Sequence, residues 1–387
     1  GSGFVGRLSG LSPSAAPSHL AHNSRSYCPV HVSRLLMAKF PQRCAVTGGS
    51  GFVGRRLVEM LIERGAQRVV SFDVAPKPSK WIDPKYDANI TYVQGDLTNK
   101  QSMMDAFKGC EVVFHIAALV GPYHPQEAYM KVNYEGTLNV ISTCKELGIK
   151  KIVMSSSPST RFDGNNVMNK TEDELPIRPK GQFLQAYAET KAMGEVAMRD
   201  ACSDDLMTVA VAPHQVYGPR DMLFLHNMLK TRRLRIFGNG KNRCSFTHVD
   251  NYCHALILGE QALYKGSPAL GKFYIATDGE PQYFWDVVDT ARMSLGMQSL
   301  KQKIHVPVAL IMPIAHICDL VGWLIGVKLK LTPFSVKMLV IHRWFNIDAC
   351  KKDLGYKPVI EFEQGWASTC EWFKENWLPK FQDGSFD

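Results

Sequence analysis

A tyrosine and a lysine stand one helical turn apart in the segment FLQAYAETKAMGE, residues 183–195. If this segment is helical, Tyr187 and Lys191 leave the same face of the helix. An ammonium beside a phenol stabilises the phenolate, so the spacing predicts a tyrosine pKa below its usual value of about 10. Such a tyrosine can transfer protons near neutral pH. The same spacing also occurs on surface helices, so the rest of the chain has to support a catalytic role.

Upstream, the sequence contains the glycine-rich turn of a dinucleotide-binding fold. The segment RCAVTGGSGFVG, residues 43–54, is an apolar strand pattern that runs into Gly48, Gly51 and Gly54 and then into a helical pattern. Glycine permits the tight turn, the approach of backbone N–H groups to a pyrophosphate, and close packing of helix on strand. A glycine-rich turn in some other α/β protein is the alternative interpretation.

An acid ends the next strand pattern. Asp73 lies at roughly the 20-residue offset of a ribose-binding acid. A carboxylate accepts a hydrogen bond from a free ribose 2′-hydroxyl and repels a 2′-phosphate, so Asp73 predicts NAD. Lys77 and Lys80 follow closely and keep NADP as the alternative.

Strand and helix patterns alternate from the glycine turn to the strand KKIVMSSS. This order predicts an α/β protein with a Rossmann-type, doubly wound parallel sheet and ligands beyond the carboxyl ends of its strands. Four residues lie at the carboxyl ends of such strand patterns: Asp96, His115, Ala117 and Ser157.

Some of the polar residues in this region also fit ordinary structural roles. Asp96 is a candidate acceptor for the adenine amino group or an ordinary turn aspartate. His115 fits a hydrogen-bonded loop histidine better than a catalyst. Asn133, in the long helix before the serine strand, is either a functional amide or a helix residue held by hydrogen bonds.

Composition bounds the class of protein. The 387 residues are 45% hydrophobic and 21% charged, which is ordinary globular usage. The net charge is +9, but the first 43 residues contain no acid and the remainder is only mildly basic, so nucleic acid is not indicated. Ten scattered cysteines predict reduced thiols, with neither a disulfide framework nor a metal site.

The chain divides into three predicted parts. Residues 1–40 have the composition of a disordered or targeting leader. Residues 41–215 form the NAD-binding Rossmann core with the catalytic residues. Residues 216–387 are mostly a smaller C-terminal substrate lobe with an apolar, membrane-associating segment near 306–327. The lobe is predicted to include the helix VDNYCHALILGEQALYKG and short strands around RRLRIFG and KFYIATDG.

The most apolar stretch of the chain is VPVALIMPIAHICDLVGWLIGV, residues 306–327. Pro307, Pro313 and Asp319 interrupt it, which argues against a full membrane span. We expect a monotopic helix dipping into a membrane or a lid over an apolar pocket, with Trp323 at an interfacial position. A membrane span and a buried helix of the substrate lobe are the alternatives.

Several motifs resemble a known family when they are taken together. TGGSGFVG, GDLT, HIAA, VNYEGT, the serines at 155–157, Tyr187-x-x-x-Lys191 and APHQVYGPRD resemble an extended short-chain dehydrogenase/reductase. GNGKNRCSFTHVDN, KFYIATDGEPQYFWD and DLGYKPVIEFEQG narrow the resemblance to the 3β-hydroxysteroid dehydrogenase family, above all to its members that act on sterol 4α-carboxylates. The resemblance covers about residues 42–375.

The resemblance implies roles for individual residues. Tyr187 would be the acid/base, Lys191 its electrostatic partner and a nicotinamide-ribose ligand, and Ser157 the group that hydrogen-bonds the reacting oxygen. Asn133 would hold a water in a proton relay, and Ser155 and Ser156 are alternatives for the serine role. The implied cofactor-binding residues are Gly48, Gly51, Phe52, Val53, Gly54, Asp73, Asp96, Leu97, Ala117, Tyr187, Lys191 and Pro213.

The implied activity is oxidation of the 3β-hydroxyl of a sterol or steroid with NAD. If a carboxylate sits on C4, the product is a β-keto acid, which loses carbon dioxide because the ketone accepts the electron pair. Arginine suits a substrate carboxylate best. Arg161 and Arg220 are the candidates, and a surface or cofactor-side arginine is the alternative for each.

Three other functions stay open. They are a 3β-hydroxysteroid dehydrogenase/Δ5-4 isomerase, a family member that reduces another hydrophobic ketone, and a non-catalytic Rossmann-fold subunit of a membrane complex. The expected partners are a sterol and a membrane surface, with a homodimer left open. The resemblance implies monotopic attachment to the endoplasmic reticulum membrane, whereas the leader alone would suggest a plastid or mitochondrion.

Overall fold

A seven-stranded parallel sheet forms the centre of the fold, in the order β7-β6-β5-β4-β1-β2-β3. Its strands are β1 (Arg43–Thr47), β2 (Arg68–Asp73), β3 (Ile90–Gln94), β4 (Val112–His115), β5 (Lys151–Ser155), β6 (Met207–Pro213) and β7 (Phe273–Ala276). The computed structural model describes residues 40–80, 83–121, 124–231, 233–327 and 329–384. Apart from Phe40, the predicted leader lies outside these described residues, so its nature stays a prediction.

Helices cover the sheet and make up most of the remaining regular structure. They are α1 (Phe52–Glu63), α2 (Pro84–Asp87), α3 (Lys100–Phe107), α4 (Gln126–Tyr129), α5 (Gly136–Leu147), α6 (Ala186–Asp200), α7 (Phe224–Lys230), α8 (Val249–Gln261), α9 (Phe284–Ser294), α10 (Val308–Leu324), α11 (Pro333–Val340), α12 (Asp348–Leu354), α13 (Phe362–Trp372) and α14 (Leu378–Gln382). Two 3₁₀ turns, Pro158–Arg161 and Leu300–Gln302, and two π-helical segments, Met130–Glu135 and Phe373–Trp377, complete the helical structure. Six short strands lie outside the central sheet: Val167–Lys170, Val216–Tyr217, Arg243–Cys244, Thr247–His248, Gln282–Tyr283 and Arg343–Phe345.

The central strands are apolar on both faces because helices cover both sides of a parallel sheet. In β1, Cys44, Ala45 and Val46 are fully buried. The strand order reverses between β1 and β4, and this reversal leaves a crevice at the carboxyl ends where ligands bind in such folds. The predicted Rossmann-type, doubly wound sheet is therefore confirmed.

The predicted boundary at residue 215 is wrong for two elements. β7 pairs in parallel with β6, and α8 packs against β5 and β6, so both belong to the core and not to the substrate lobe. The strand Val167–Lys170 lies within the residues of the predicted core, but it pairs with Arg343–Phe345 from the C-terminal part of the chain. Strand pairing between distant segments decides these memberships, and local sequence does not reveal such pairing.

A second hydrophobic cluster marks the smaller C-terminal lobe. Its buried aromatic residues include Tyr217, Phe246, Trp285, Trp366 and Trp377. The nine cysteines that the structure describes are all free. Among the described residues, no group of three or more His, Cys, Asp or Glu side chains could hold a metal ion.

The predicted apolar segment forms α10, which lies largely exposed. Only Ala315 and Gly322 are buried in this helix, while Leu310 and Trp323 are 62% and 77% exposed. The alternative of a buried helix is therefore wrong. Among the helices that the structure describes, none combines the length and apolar character that crossing a membrane requires.

Candidate active site

The glycine turn joins β1 to α1 at the reversal of the sheet. Gly48 has φ +70°, a conformation that favours glycine, and a Cβ there would lie 2.9 Å from the backbone of Ala117. A Cβ at Gly54 would overlap the carbonyl oxygen of Gly48. Gly51 precedes the first helical residues, Phe52 and Val53. The tight glycine turn therefore leads directly into the start of α1, and the N–H groups at the start of a helix can bind a pyrophosphate.

Asp73 faces this turn from the end of β2. Its carboxylate accepts hydrogen bonds from the Ser50 N–H at 3.0 Å and the Ala75 N–H at 2.9 Å. Lys77, one of the two lysines that kept NADP open, is paired with Asp87 at 2.8 Å. The carboxylate is held beside the turn, where a ribose hydroxyl would meet it.

The remaining predicted cofactor residues line the carboxyl edge of the sheet. Asp96 is exposed and accepts from the Thr98 N–H at 2.9 Å, so it is also a turn aspartate. Leu97 is buried against Gly136, and Pro213 ends β6.

The predicted Tyr-Lys pair lies on α6, which faces the end of β5. Gln185 precedes the helix in extended conformation, and Tyr187 lies in its first turn. Lys191 is 3% exposed and donates from Nζ to the Ser155 carbonyl at 2.8 Å. Ser157 caps the 3₁₀ turn, and its Oγ accepts from the Ser159 hydroxyl at 2.8 Å. Tyr187, Lys191 and Ser157 therefore meet at one strand end, as predicted.

The predicted effect of Lys191 on Tyr187 is not observed. Burial raises the pKa of Tyr187 to about 12, and the hydrogen-bonding contact with Ser157 only partly opposes this rise. The Lys191 ammonium is bound to a backbone carbonyl instead of the phenol. In this low-dielectric site, the cost of burying a phenolate exceeds the stabilisation that neighbouring groups provide.

Burial also governs the two nearby bases. It lowers the pKa of Lys191 to about 8, with the Glu195 carboxylate opposing the change. It lowers the pKa of His115 to about 3, and the charge of Lys191 adds to this effect. The neutral His115 ring bridges the hydroxyls of Thr47 and Thr137, each at 2.9 Å, which agrees with a structural histidine.

Asn133 lies in the π-helical segment Met130–Glu135 and is buried. Its Oδ1 accepts from the Leu119 N–H at 2.8 Å, and its Nδ2 donates to the Leu119 carbonyl at 3.1 Å. The amide therefore holds the loop after β4, as the alternative interpretation stated. The predicted role in a water relay stays a prediction.

The two arginines proposed for a substrate carboxylate are both used inside the fold. Arg161 is buried and forms a two-point ion pair with Glu195, at 2.9 and 2.6 Å. Arg220 forms a two-point pair with Glu59 at 2.7 and 2.8 Å. The carboxylate-binding role is therefore a wrong prediction for both, because each guanidinium already binds an internal carboxylate.

Sequence reasoning missed two residues next to the site. Glu195 lies one turn beyond Lys191, so an acid on the same helical stripe was the available signal. Tyr252 donates to Ser155 Oγ at 2.7 Å from α8. No sequence pattern pointed to Tyr252, since its position depends on how α8 packs against β5.

The glycine turn lies at the sheet reversal with an acid beside it, and this pair can bind a dinucleotide. The tyrosine, lysine and serine lie at a nearby strand end, where they can move a proton at an adjacent hydroxyl. This arrangement is that of the short-chain dehydrogenase/reductase class, which acts on CH–OH groups.

Comparison with known proteins gives the family. Residues 45–308 match the model of the 3-beta hydroxysteroid dehydrogenase/isomerase family. The 3beta-hydroxysteroid-dehydrogenase/decarboxylase isoform 1 of Arabidopsis thaliana is 35% identical, over 85% of this chain and 79% of that protein. The decarboxylating sterol-4-alpha-carboxylate 3-dehydrogenase of Homo sapiens is 33% identical, over 86% and 88%. The chain belongs to the 3-beta hydroxysteroid dehydrogenase/isomerase family.

A solved structure supports the fold independently. An epimerase of Methanothermobacter thermautotrophicus aligns with a TM-score of 0.68 at 21% identity, over 92% of this chain and 97% of that one.

Proposed function

We propose that this protein oxidises the 3β-hydroxyl of a sterol that carries a carboxylate at C4, and that loss of carbon dioxide follows. The observation that carries the proposal is the meeting of Tyr187, Lys191 and Ser157 beside the dinucleotide turn. The human relative is named as a decarboxylating sterol-4-alpha-carboxylate 3-dehydrogenase, and the Arabidopsis relative as a 3beta-hydroxysteroid-dehydrogenase/decarboxylase. An intact catalytic set also argues against a non-catalytic subunit.

The cofactor that fits the site is NAD. The turn is too tightly packed for a Cβ at Gly48 or Gly54 and leads into the start of α1, which suits a pyrophosphate. The Asp73 carboxylate beside the turn suits a ribose with a free 2′-hydroxyl. The same carboxylate would repel a 2′-phosphate, which disfavours NADP. When bound, NAD supplies the hydride acceptor for the C3 hydrogen.

The side chains of the chain handle the proton and the charge on oxygen. Tyr187 takes the proton of the 3-hydroxyl, and Ser157 donates a hydrogen bond to that oxygen as its charge develops. Lys191 donates from Nζ to the Ser155 carbonyl and so holds the end of β5 against the helix that carries Tyr187. After oxidation, the bond between C4 and the carboxylate breaks, and its electron pair moves to the C3 oxygen as an enolate. Ser157 can stabilise this enolate as well, so the step needs no further side chain.

The test is turnover of a 4α-carboxysterol in detergent, with reduced cofactor and carbon dioxide both measured. Tyr187→Phe removes only the hydroxyl, so we expect an unchanged melting temperature and a kcat lower by about 10²–10⁴-fold. If reduced cofactor forms only with 4-unsubstituted 3β-hydroxysteroids, the proposal is refuted in favour of the dehydrogenase/isomerase function. No turnover of any sterol by the wild type would refute the dehydrogenase proposal.

We further propose that α10 attaches the protein to the surface of the endoplasmic reticulum membrane. Its support is the exposed apolar surface of Leu310, Ile317, Leu320, Trp323 and Leu324. A sterol substrate dissolves in membranes, so attachment through α10 would bring the enzyme to the membrane that holds its substrate. A homodimer stays a prediction that light scattering can check.

Vesicle flotation tests the attachment. Replacing Ile317 and Leu320 with aspartate puts two charges on the apolar surface, so we expect loss of flotation with phospholipid vesicles and unchanged turnover in detergent. Val359→Asp is the control, because Val359 is also exposed but lies outside α10, in the loop between α12 and α13. Equal flotation of the α10 variant and the control would contradict the proposal.

A further inference from the structure

Glu195 is a buried carboxylate to which the reaction above assigns no role. It lies on α6, one turn beyond Lys191 and two turns beyond Tyr187, and it is 0% exposed. A carboxylate that is excluded from water requires charged or hydrogen-bonding partners. Ser156 Oγ donates to its Oε2 at 2.6 Å, and the Arg161 guanidinium binds both of its oxygens.

The partners of Glu195 bracket Ser157. Ser156 comes directly before it, and Arg161 ends the 3₁₀ turn that starts directly after it. Inside this turn, the Thr160 hydroxyl donates to the Ser157 carbonyl at 2.8 Å. Both sides of the short segment that carries Ser157 are therefore fastened to one carboxylate, on the same helix that carries Tyr187.

Arg161 is also fixed from its other side. Its guanidinium lies over the ring of Phe273 in β7, 3.4 Å from the ring centroid. A planar guanidinium can stack on a ring and bind a carboxylate at two points at once, which an ammonium cannot do. The contacts of Arg161 therefore join the serine segment, α6 and the edge strand of the sheet.

We infer that Glu195 and Arg161 are a positioning pair, which sets the Ser157 hydroxyl at the distance from the Tyr187 phenol that the reaction requires. They act through Ser156 and the 3₁₀ turn and do not themselves contact the reacting oxygen. Displacement of a reacting group by about 1 Å can lower a rate by about 100-fold. The kinetic test rests on the proposed function, whereas the structural test does not.

The kinetic test compares two matched substitutions. Glu195→Gln removes the charge that binds Arg161. Glu260→Gln makes the same change at another buried glutamate, which pairs with Lys151 at 2.6 Å at the start of β5, far from the reacting groups. We expect both variants to lose stability in urea. Only Glu195→Gln should lower kcat, by tenfold or more per folded molecule, with the sterol KM and the NAD Kd unchanged.

A double variant separates positioning from folding. Glu195→Gln alone leaves the Arg161 charge buried and unpaired, whereas Glu195→Gln with Arg161→Met removes both charges. We expect the double variant to regain stability and to keep the low kcat. A wild-type kcat in the double variant, or an equal loss of kcat in Glu260→Gln, would overturn the inference.

The structural test works without a substrate. Crystal structures of the wild type and Glu195→Gln should show a longer distance from Ser157 Oγ to Tyr187 Oη in the variant. An unchanged distance would overturn the inference whatever the substrate is. Wild-type inactivity towards every sterol, together with a longer distance in the variant, would refute the proposed function and leave the positioning role standing.

Discussion

The Tyr187 and Lys191 side chains show how burial can reverse an expectation drawn from spacing. Their separation along α6 placed an ammonium near a phenol and predicted a lower tyrosine pKa. Both groups are shielded from water, so burial raises the pKa of Tyr187 and lowers that of Lys191. Each shift disfavours the charged form of its group, which is the common effect of a low dielectric.

The titration of Lys191 makes a prediction for stability. Its pKa falls from the ordinary 10.5 to about 8 in the folded protein. Between these values the unfolded chain binds a proton that the folded chain does not, so the unfolding free energy rises with pH. Lys191→Met lacks this titration. We expect the wild type to gain up to about 3 kcal/mol relative to the variant between pH 8 and 10.5.

Urea unfolding at a series of pH values measures this difference. Lys150→Met is the control, because the Lys150 side chain is 57% exposed and pairs with the exposed Asp205. Its stability relative to the wild type should stay flat over the same range. A flat difference for Lys191→Met would show that the lysine keeps an ordinary pKa in the folded protein.

At the scale of the elements, the site depends on the close approach of α6 to the π-helical segment Met130–Glu135. Gly194 lies at this contact, and a Cβ there would be 2.5 Å from the Asn133 carbonyl oxygen and 3.1 Å from Thr137 Oγ1. Backbone cannot move aside as a flexible side chain can. The absence of a side chain at residue 194 therefore sets how close the catalytic helix lies to its neighbour.

Gly194→Ala should destabilise the protein even though alanine favours a helix by about 1 kcal/mol over glycine. Overpacking against backbone costs about 1–3 kcal/mol, and the displacement of α6 should lower kcat as well. The urea midpoint and the turnover rate measure the two effects.

A second helical glycine serves as the comparison for Gly194→Ala. In Gly259→Ala the nearest atoms are valine side chains at 3.3 Å, so we expect a smaller change in stability and none in kcat. A stabilised Gly194→Ala variant would mean that the two elements can separate freely.

At the scale of the whole molecule, the core and the smaller lobe are interleaved along the chain. The pair between Arg220 and Glu59 is one connection, since it joins the loop after Val216–Tyr217 to the dinucleotide helix α1. Arg220 also has φ +74°, which is uncommon for a residue with a side chain. Arg220 therefore has a left-handed backbone conformation at the position where its guanidinium binds Glu59.

Arg220→Met should therefore reduce stability and leave substrate choice unchanged. Loss of the charged hydrogen bonds leaves Glu59 largely buried without its two-point partner, which costs about 2 kcal/mol. The ratio of kcat/KM for 4-carboxylated and 4-unsubstituted sterols should match the wild type. Arg68→Met, at an exposed arginine, is the control for stability. A selective loss of the carboxylated substrate would restore the carboxylate-binding role of Arg220.

The sequence by itself determined the features that local spacing encodes. Glycines at 48, 51 and 54, an acid at 73 and the Tyr187-Lys191 pair sit at fixed offsets within single strand-turn-helix units, so their placement follows from backbone geometry. Alternation of strand and helix patterns determined the parallel sheet for the same reason. These predictions needed no knowledge of which distant segments meet.

The tertiary structure alone decided everything that depends on contacts between distant segments. It assigned Arg161 and Arg220 to internal glutamates, added β7 and α8 to the core, and left α10 exposed. It also set the pKa of Tyr187, because burial depends on every element packed around the phenol. Charge partners and burial come from the summed packing of the whole chain, and no local pattern of residues specifies them.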